Sequence, residues 1–330
     1  MSAYDVRPWG PPHILPSSER VFHYTSASGL MGILQSGIVW ATEASGLNDV
    51  AEVLEGRRYV NDCIDRLPDR ELHSELTYAL DYVHEASGPN PSDVFVLSAS
   101  LQEDDANQWR LYGDLGRGYC IELDTQHPLV VRARTELAST EPTEPGSRTL
   151  NLGFMRDMSY VSPWSRVLYQ DEEREAAFTD LAVWAAEAYE SALHADWDGP
   201  ESGELSPLQT LNYEMSRAIA SLTRCIKGRG FAGEAEARVH VSSLWGDHHA
   251  HFRHGADGIV RYYELMTRSG PSPARNEVEW REETNPMPIR SIRLGPAQRF
   301  ELAEPAIRSL LSRWGYGESV EVSPSGVSLR

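Results

Sequence analysis

The alternation of apolar and polar residues near the start of the chain predicts a strand, a helix and a second strand. Val21–Thr25 has the composition of a short strand. Apolar residues then recur at helical spacing, at Leu30, Ile33 and Leu34. Ser26 or Ser28 is suited to cap the start of this helix, and Gly37 to end it. Ile38–Thr42 is predicted to be the next strand.

The same reading along the rest of the chain predicts helices in the middle and strands at both ends. Helices are predicted at 58–87, Gln108–Tyr112, 171–195, Leu208–Ile226 and Ala306–Trp314. Further strands are predicted at Val94–Ser98, Tyr119–Leu123, Ala235–Val241, Gly258–Leu265, Ile289–Leu294 and Val320–Val322. This order predicts an extended, proline-rich segment at 1–20, followed by a single α+β domain at 21–330 with a helical insertion around 165–226.

Composition narrows the class of protein. With 41% hydrophobic residues, the 330-residue chain has enough apolar material for a core. A formal charge of -19 argues against binding of bulk nucleic acid or anionic membranes. No signal peptide is visible at the start of the sequence, and no uncharged apolar stretch is long enough to span a membrane. Cys63, Cys120 and Cys225 are odd in number and have no zinc-site spacing, so buried free thiols in a reducing cytoplasm are expected.

Two strand ends carry candidate binding residues. His23, Tyr24 and Thr25 end the first strand, where a histidine beside a hydroxyl residue can bind a ribose hydroxyl. The alternative is a half-buried structural histidine. Ser98 and Ser100 share one face of a later strand and can orient a carboxylate or a sugar. A strand-to-turn transition that favours serine would explain the same residues.

A short helix and a late strand carry further candidates. Trp109 and Tyr112 are three residues apart on one helical face, where they can stack on a cationic ring or pack in the core. Glu234, Glu236 and Arg238, together with His240, share one face if Ala235–Val241 is a strand. Paired carboxylates suit a reaction in which positive charge develops on carbon, as in glycoside chemistry. The alternative is a solvated strand face with internal ion pairs.

Several other patterns carry less information. Glu277–Arg281 has a similar Glu-x-Glu pattern but lies in a proline-rich loop with polar flanks. The histidines at 248, 249, 251 and 254 can bind a metal, but no cysteine or carboxylate pattern completes a site, so a solvent-exposed loop is expected. The phosphate-binding glycine motifs and the nucleophile-elbow motif are absent from the sequence.

Taken in order, several segments resemble a family of bacterial proteins, domain-of-unknown-function family 2971 (DUF2971). The matching segments are "FHYTSASGLMGILQSGIVWAT", "LND" with the following Glu52, "VFVLSAS", "QWRLYGD" leading to "GYCIEL", "IKGRGFAGEAEAR" and "PIRSIRLGP". They extend from residue 21 over nearly the whole chain. The sequence departs from the family pattern at Ala237, where an aromatic residue is usual, and at Arg261 before Tyr262, where proline is usual.

The opening segment "HYTSASGLMGILQSGI" also resembles the start of ADP-ribosyltransferase folds. This resemblance implies split antiparallel β-sheets flanked by helices, with NAD as the substrate and no metal. It implies that His23 contacts a ribose, that Trp109 or Tyr112 stacks on nicotinamide, that Glu236 is the catalytic glutamate and that Glu234 primes the acceptor. Tyr24, Thr25, Ser98, Ser100 and Arg238 are then expected in the same nucleotide site.

These observations favour an NAD-consuming ADP-ribosyltransferase or NAD glycohydrolase in the cytoplasm. Its substrate would be a nucleotide or another small molecule, and its acceptor a protein, a nucleic acid or water. One alternative is a non-catalytic nucleotide or ligand sensor, for example in phage defence. Another is a metal-dependent hydrolase that uses the histidine cluster with Glu234 or Glu236.

Overall fold

The fold is given by a computed structural model, which describes residues 9–44, 50–86, 94–132, 159–197, 199, 206–243, 250–255, 258–267 and 286–328. The predicted α+β class is confirmed. The α-helices are α1 (Ala27–Ser36), α2 (Val50–Ile64), α3 (Arg70–Ala86), α4 (Ala106–Leu111), α5 (Asp171–Leu193), α6 (Pro207–Arg224) and α7 (Phe300–Arg313). Two 3-10 turns lie at Asp114–Gly116 and Arg229–Glu234.

The strands run from one end of the chain to the other. They are β1 (Val21–Thr25), β2 (Val39–Glu43), β3 (Phe95–Ser100), β4 (Tyr119–Leu123), β5 (Leu129–Val131), β6 (Ser159–Val161), β7 (Ser165–Arg166), β8 (Glu236–Ser243), β9 (His251–Gly255), β10 (Gly258–Thr267), β11 (Ile289–Leu294) and β12 (Glu321–Pro324). The predicted opening strand, helix and second strand are confirmed as β1, α1 and β2. The Ser26 hydroxyl accepts from the Gly29 amide at the start of α1, and Gly37 ends the helix with φ 66°.

The strands form one mixed sheet in the order β12-β11-β4-β1-β3-β2-β10-β5. Only the β11–β12 pair is parallel among the described strands. β8 pairs with β3 along the whole of β3, from Phe95 to Ser100. β1 and β2 therefore share the other edge of β3, with Phe22 opposite Ser100 and Thr42 opposite Val96. Along this edge, β3 pairs with β2 up to Val96 and with β1 at Ser100, so β1 and β2 diverge from each other around Ser98.

Two apolar cores hold the chain together. The first lies between the sheet and α1 and α7, and includes Leu30, Ile121 and Ile292. The second joins four helices, α2, α3, α5 and α6, around Leu181 and Met215. The predicted helical insertion therefore does not stand alone, because its two helices pack against α2 and α3 from earlier in the chain.

Some expectations for local structure were wrong. Residues 251–255 form β9, so His251 and His254 lie on a strand and not in an exposed loop. Ala235 is not part of a strand, since its φ of 43° and ψ of 51° are left-handed. In the segment 9–20, Trp9 and His13 are buried, so this part of the predicted extended segment packs against the rest of the protein. Glu277–Arg281, residues 248 and 249, and the "LND" segment lie outside the described residues.

Candidate functional site: a buried charge cluster at β3 and β8

The pairing of β3 with β8 brings the Ser-x-Ser and Glu-x-Arg patterns side by side. Ser98 lies opposite Arg238, and Ser100 lies opposite Glu236. Because side chains alternate along a strand, these four residues share one face. Ala237 and Val239 point the other way, into the first core, as the apolar alternation predicts.

Glu236 is buried and carries a dense set of hydrogen bonds. Arg238 binds it with two nitrogens, Nε to Oε1 at 2.6 Å and Nη2 to Oε2 at 2.8 Å. Lys227 Nζ lies 3.3 Å from Oε2, and the Ser98 side chain shares this face of the strands. Burial acts to raise the pKa of Glu236, but Arg238, Lys227 and Ser98 outweigh it and hold this pKa below its usual value. The carboxylate is therefore ionised at neutral pH.

Glu234 reaches the same cluster from outside the strand. It ends the 3-10 turn Arg229–Glu234, and the left-handed Ala235 then redirects the chain into β8. Its carboxylate accepts from Lys227 Nζ at 2.7 Å and from the Tyr112 hydroxyl at 3.2 Å. Its backbone carbonyl accepts from the Ser100 hydroxyl at 2.9 Å. Lys227, and not shared strand alternation, is what brings the two glutamates together.

Lys227 is the centre of the cluster, although the sequence motifs did not single it out. Its side chain is 2% exposed and lies between Glu234 and Glu236. Its ammonium lies 4.7 Å from the centroid of the Phe231 ring, which is a cation–π contact. One signal was present in the sequence, since this lysine directly follows the apolar Cys225-Ile226 at the end of α6, a setting unusual for a solvated lysine.

His23 joins this network through Ser98. Its Nδ1 lies 3.0 Å from the Ser98 carbonyl oxygen. A carbonyl can only accept, so Nδ1 carries the hydrogen and Nε2 of the neutral ring is an acceptor. Burial lowers the pKa of His23, and the bond to Ser98 offsets only part of this effect. Phe22 lies opposite Ser100, so Phe22 and not His23 shares the face of Ser100. His23 instead contacts the backbone of Ser98, where the edge of β3 passes from β2 to β1.

Three of the predicted residues support β1 and make their contacts away from the charge cluster. The Tyr24 hydroxyl donates to the Gln102 carbonyl, and the Tyr24 ring meets Trp109 edge to face at 4.9 Å. Trp109 is fully buried and donates to Asp104. Thr25 lies against Gly29 at the start of α1. Of the two aromatics proposed for stacking, Tyr112 is the one with an exposed ring, at 49%.

A second buried polar group lies further along the same face of β8. His240 and His13 are each 1% exposed, and Arg224 and His13 contribute to the electrostatic environment of His240. Burial, aided by Arg166, lowers the pKa of His13 to about 4. Burial also lowers the pKa of His240 well below its usual value, with Arg224 as the next cause. Both rings are therefore neutral at pH 7.

The arrangement has two notable chemical properties. Two carboxylates, Glu234 and Glu236, face two cations, Lys227 and Arg238, so the cluster is close to neutral. Glu234 is the more accessible carboxylate, with a side chain 16% exposed against 7% for Glu236.

Within the described part of the chain, no group of three or more His, Cys, Asp or Glu side chains is arranged to hold a metal ion. None of the described helices has the length and apolar character to cross a membrane.

The fold and the cluster thus define an α+β protein with a mixed sheet and a buried carboxylate–lysine–arginine site. Residues 108–239 match the model of the family described as Protein of unknown function (DUF2971). The match supports the family assignment that the sequence motifs indicated. It spans Tyr112, Lys227, Glu234, Glu236 and Arg238, whereas His23 and Ser98 precede it. No curated protein and no solved structure matches the chain.

Proposed function

We propose that the protein is an NAD-consuming ADP-ribosyltransferase or NAD glycohydrolase that uses the charge cluster at β3 and β8. The observation that carries this proposal is that Ser98 lies between both predicted partners. Its carbonyl accepts from His23, and its side chain lies on the face of β3 and β8 that carries Glu236, where it helps to lower the pKa of that carboxyl group. The divergence of β1 and β2 from each other at this residue supports the split-sheet arrangement implied by the opening segment.

The proposed reaction breaks the bond between the ribose C1 atom of NAD and the nicotinamide nitrogen. The bonding electron pair leaves with nicotinamide, which becomes neutral, while positive charge develops on the ribose. An ionised carboxylate near that charge lowers the barrier, and Glu236 is held in this state by Arg238 and Lys227. The oxygen of water or of an acceptor then bonds to C1, and its proton passes to the more accessible carboxylate, Glu234.

The positions of the aromatic residues bear on substrate binding. The half-exposed Tyr112 ring lies beside Glu234, where it suits stacking with the nicotinamide cation. The Phe231 ring, in the turn Arg229–Glu234, packs over the Lys227 ammonium beside Glu236. Because the Glu236 side chain is only 7% exposed, the proposal requires this turn to move when the substrate binds.

Release of nicotinamide from NAD by the purified full chain tests the proposal. We expect turnover that falls by about a hundredfold or more in Glu236→Gln, because the amide removes the stabilising charge. Glu234→Gln should lower transfer or hydrolysis to a similar degree. Glu172→Gln, at a side chain 85% exposed on α5, is the control and should keep full activity. Absence of both NAD turnover and NAD binding would rule the proposal out.

The charge balance of the cluster favours a second candidate, a nucleotide sensor without catalysis. Each carboxylate is already paired with a cation, so little negative charge is left to stabilise a developing positive charge. In this case calorimetry should detect NAD or ADP-ribose binding without nicotinamide release. Binding that is unchanged in Glu236→Gln would favour the sensor over the enzyme.

A further inference from the structure

A separate row of aromatic and cationic side chains lies on the outer face of β2, β9 and β10. Trp40 and Tyr262 lie with ring centroids 4.6 Å apart, and His251 lies 5.5 Å from Tyr262 on its other side. Arg253 lies with Cζ 5.6 Å from the centroid of the Trp40 ring. We call Trp40, Tyr262, His251 and Arg253 the aromatic–arginine surface.

The exposure of Trp40 is unusual for its strand. Its neighbours Val39 and Ala41 are buried in the first core on the opposite face of β2. Trp40 itself is 49% exposed, although Tyr262 and Arg253 both pack against it. Because the Trp40 indole is half exposed and is held in place by neighbouring side chains, a flat ring can stack on it.

Arg253 differs from the other arginines near this surface. Arg132 pairs with Glu264 at 2.9 Å, and Arg261 pairs with Glu43 at 2.6 Å. Arg253 instead donates to the Thr42 hydroxyl at 3.0 Å and to a backbone carbonyl at 3.4 Å. In the described part of the chain no carboxylate pairs with it, and its Nε has no hydrogen-bond partner. An arginine without a carboxylate partner is notable in a chain with 49 acidic and 30 basic residues.

We propose that the aromatic–arginine surface binds a free nucleotide, with the base stacked on Trp40 and the phosphate bound by Arg253. An indole face and a guanidinium fork are complementary to a base and to a phosphate respectively. A nucleic-acid strand would need a series of cations along its phosphates, and the overall charge of -19 opposes it. This site is independent of the proposed NAD chemistry, because it uses β2, β9 and β10 and none of the cluster residues.

Titration of the full chain with AMP tests this site. AMP has no nicotinamide, so its binding does not depend on NAD turnover. We expect the dissociation constant of AMP to rise by about tenfold or more in Trp40→Ala and in Arg253→Gln. Adenosine should bind more weakly than AMP to the wild type, but Arg253→Gln should bind both about equally. Leu302→Ala, at another exposed apolar side chain, is the matched control and should bind AMP normally.

Three results would overturn the assignment. One is the absence of AMP binding up to roughly millimolar concentration. Another is AMP binding that survives both Trp40→Ala and Arg253→Gln but disappears in Glu234→Gln, which would place the nucleotide at the charge cluster. The third is much tighter, strongly salt-dependent binding of a single-stranded oligonucleotide, which would identify a strand-binding surface instead. Circular dichroism of each variant checks that it is folded, and Arg253→Lys tests the need for the guanidinium fork if Arg253→Gln is unfolded.

Discussion

Lys227 shows how one buried side chain can organise a site. It is 2% exposed and its ammonium contacts Glu234 and Glu236, which belong to different backbone elements. Without its positive charge, the lowered pKa of Glu236 would depend on Arg238 and Ser98 alone. Removing one partner of a buried ion pair destabilises a fold by more than the intact pair stabilises it, because the remaining charge stays buried without compensation.

We therefore expect Lys227→Met to destabilise the fold by about 3 kcal/mol. The pKa of Glu236 should rise, because one of the charges that lower it is removed. Urea unfolding measures the first effect, and carboxyl-carbon NMR titration of labelled glutamate measures the second. Arg229→Met in the same segment is the control, since Arg229 is 56% exposed and its surface pair with Asp171 is worth less than about 1 kcal/mol. An equal loss in both variants would contradict the central role of Lys227.

At the scale of elements, the start of α1 shows how closely a helix approaches the end of β1. A Cβ atom added at Gly29 would lie 2.0 Å from Thr25 Oγ1 and 3.3 Å from Thr25 Cβ. A Cβ atom added at Gly32, one turn later in the same helix, would meet nothing within 4 Å. Both glycines lie inside α1, but only at Gly29 does a neighbouring side chain leave no room for a Cβ atom.

Gly29→Ala should destabilise the protein by about 1–3 kcal/mol, because the clash with Thr25 outweighs the gain in helix propensity. Gly32→Ala should stabilise it by up to about 1 kcal/mol, since only the propensity term applies there. Chemical denaturation of both variants measures the difference. In the double variant Thr25→Ala, Gly29→Ala, removal of Oγ1 should recover part of the loss. If stability does not recover, the loss in Gly29→Ala is caused by the backbone and not by the threonine side chain.

At the scale of the whole molecule, buried neutral histidines link stability to pH. The pKa of His13 is lowered to about 4, and those of His23 and His240 are lowered as well, chiefly by burial. Arg166, Arg217 and Arg224 add to the effect on His13 and His240. In the unfolded chain these histidines take up protons near pH 6.5, whereas the folded state resists protonation.

Stability should therefore be full above pH 6.5 and decline as the pH falls toward 4. His13 alone accounts for roughly 3 kcal/mol at the acid limit, and the lowered pKa of Glu236 adds a further loss below its unfolded value near 4.5. Urea unfolding at a series of pH values measures this slope. His13→Gln should flatten it between pH 6.5 and 5, while His194→Gln, at a side chain 82% exposed, should leave it unchanged. A flat wild-type profile in this range would contradict the burial of neutral histidines.

Local pattern was sufficient for much of the secondary structure. Period-two and helical spacing, with Ser26 and Gly37 as caps, predicted β1, α1 and β2 to within a residue or so, because these signals act over a few neighbouring residues. Short strands such as β7 and β9 were not predicted. A strand of two to five residues is stabilised by its partner and not by its own composition.

For the candidate site, the sequence determined which residues carry charge and which of them share a strand face, as for Ser98 with Ser100 and Glu236 with Arg238. Only the tertiary structure decided that these strands are neighbours and that His23 meets the Ser98 carbonyl between diverging strands. It also decided that Lys227 joins Glu234 to Glu236, and that Trp109 is buried while Tyr112 is exposed. The physical reason is that alternation is local, whereas contact between residues up to 140 positions apart depends on which strands pair and on which helices cover them.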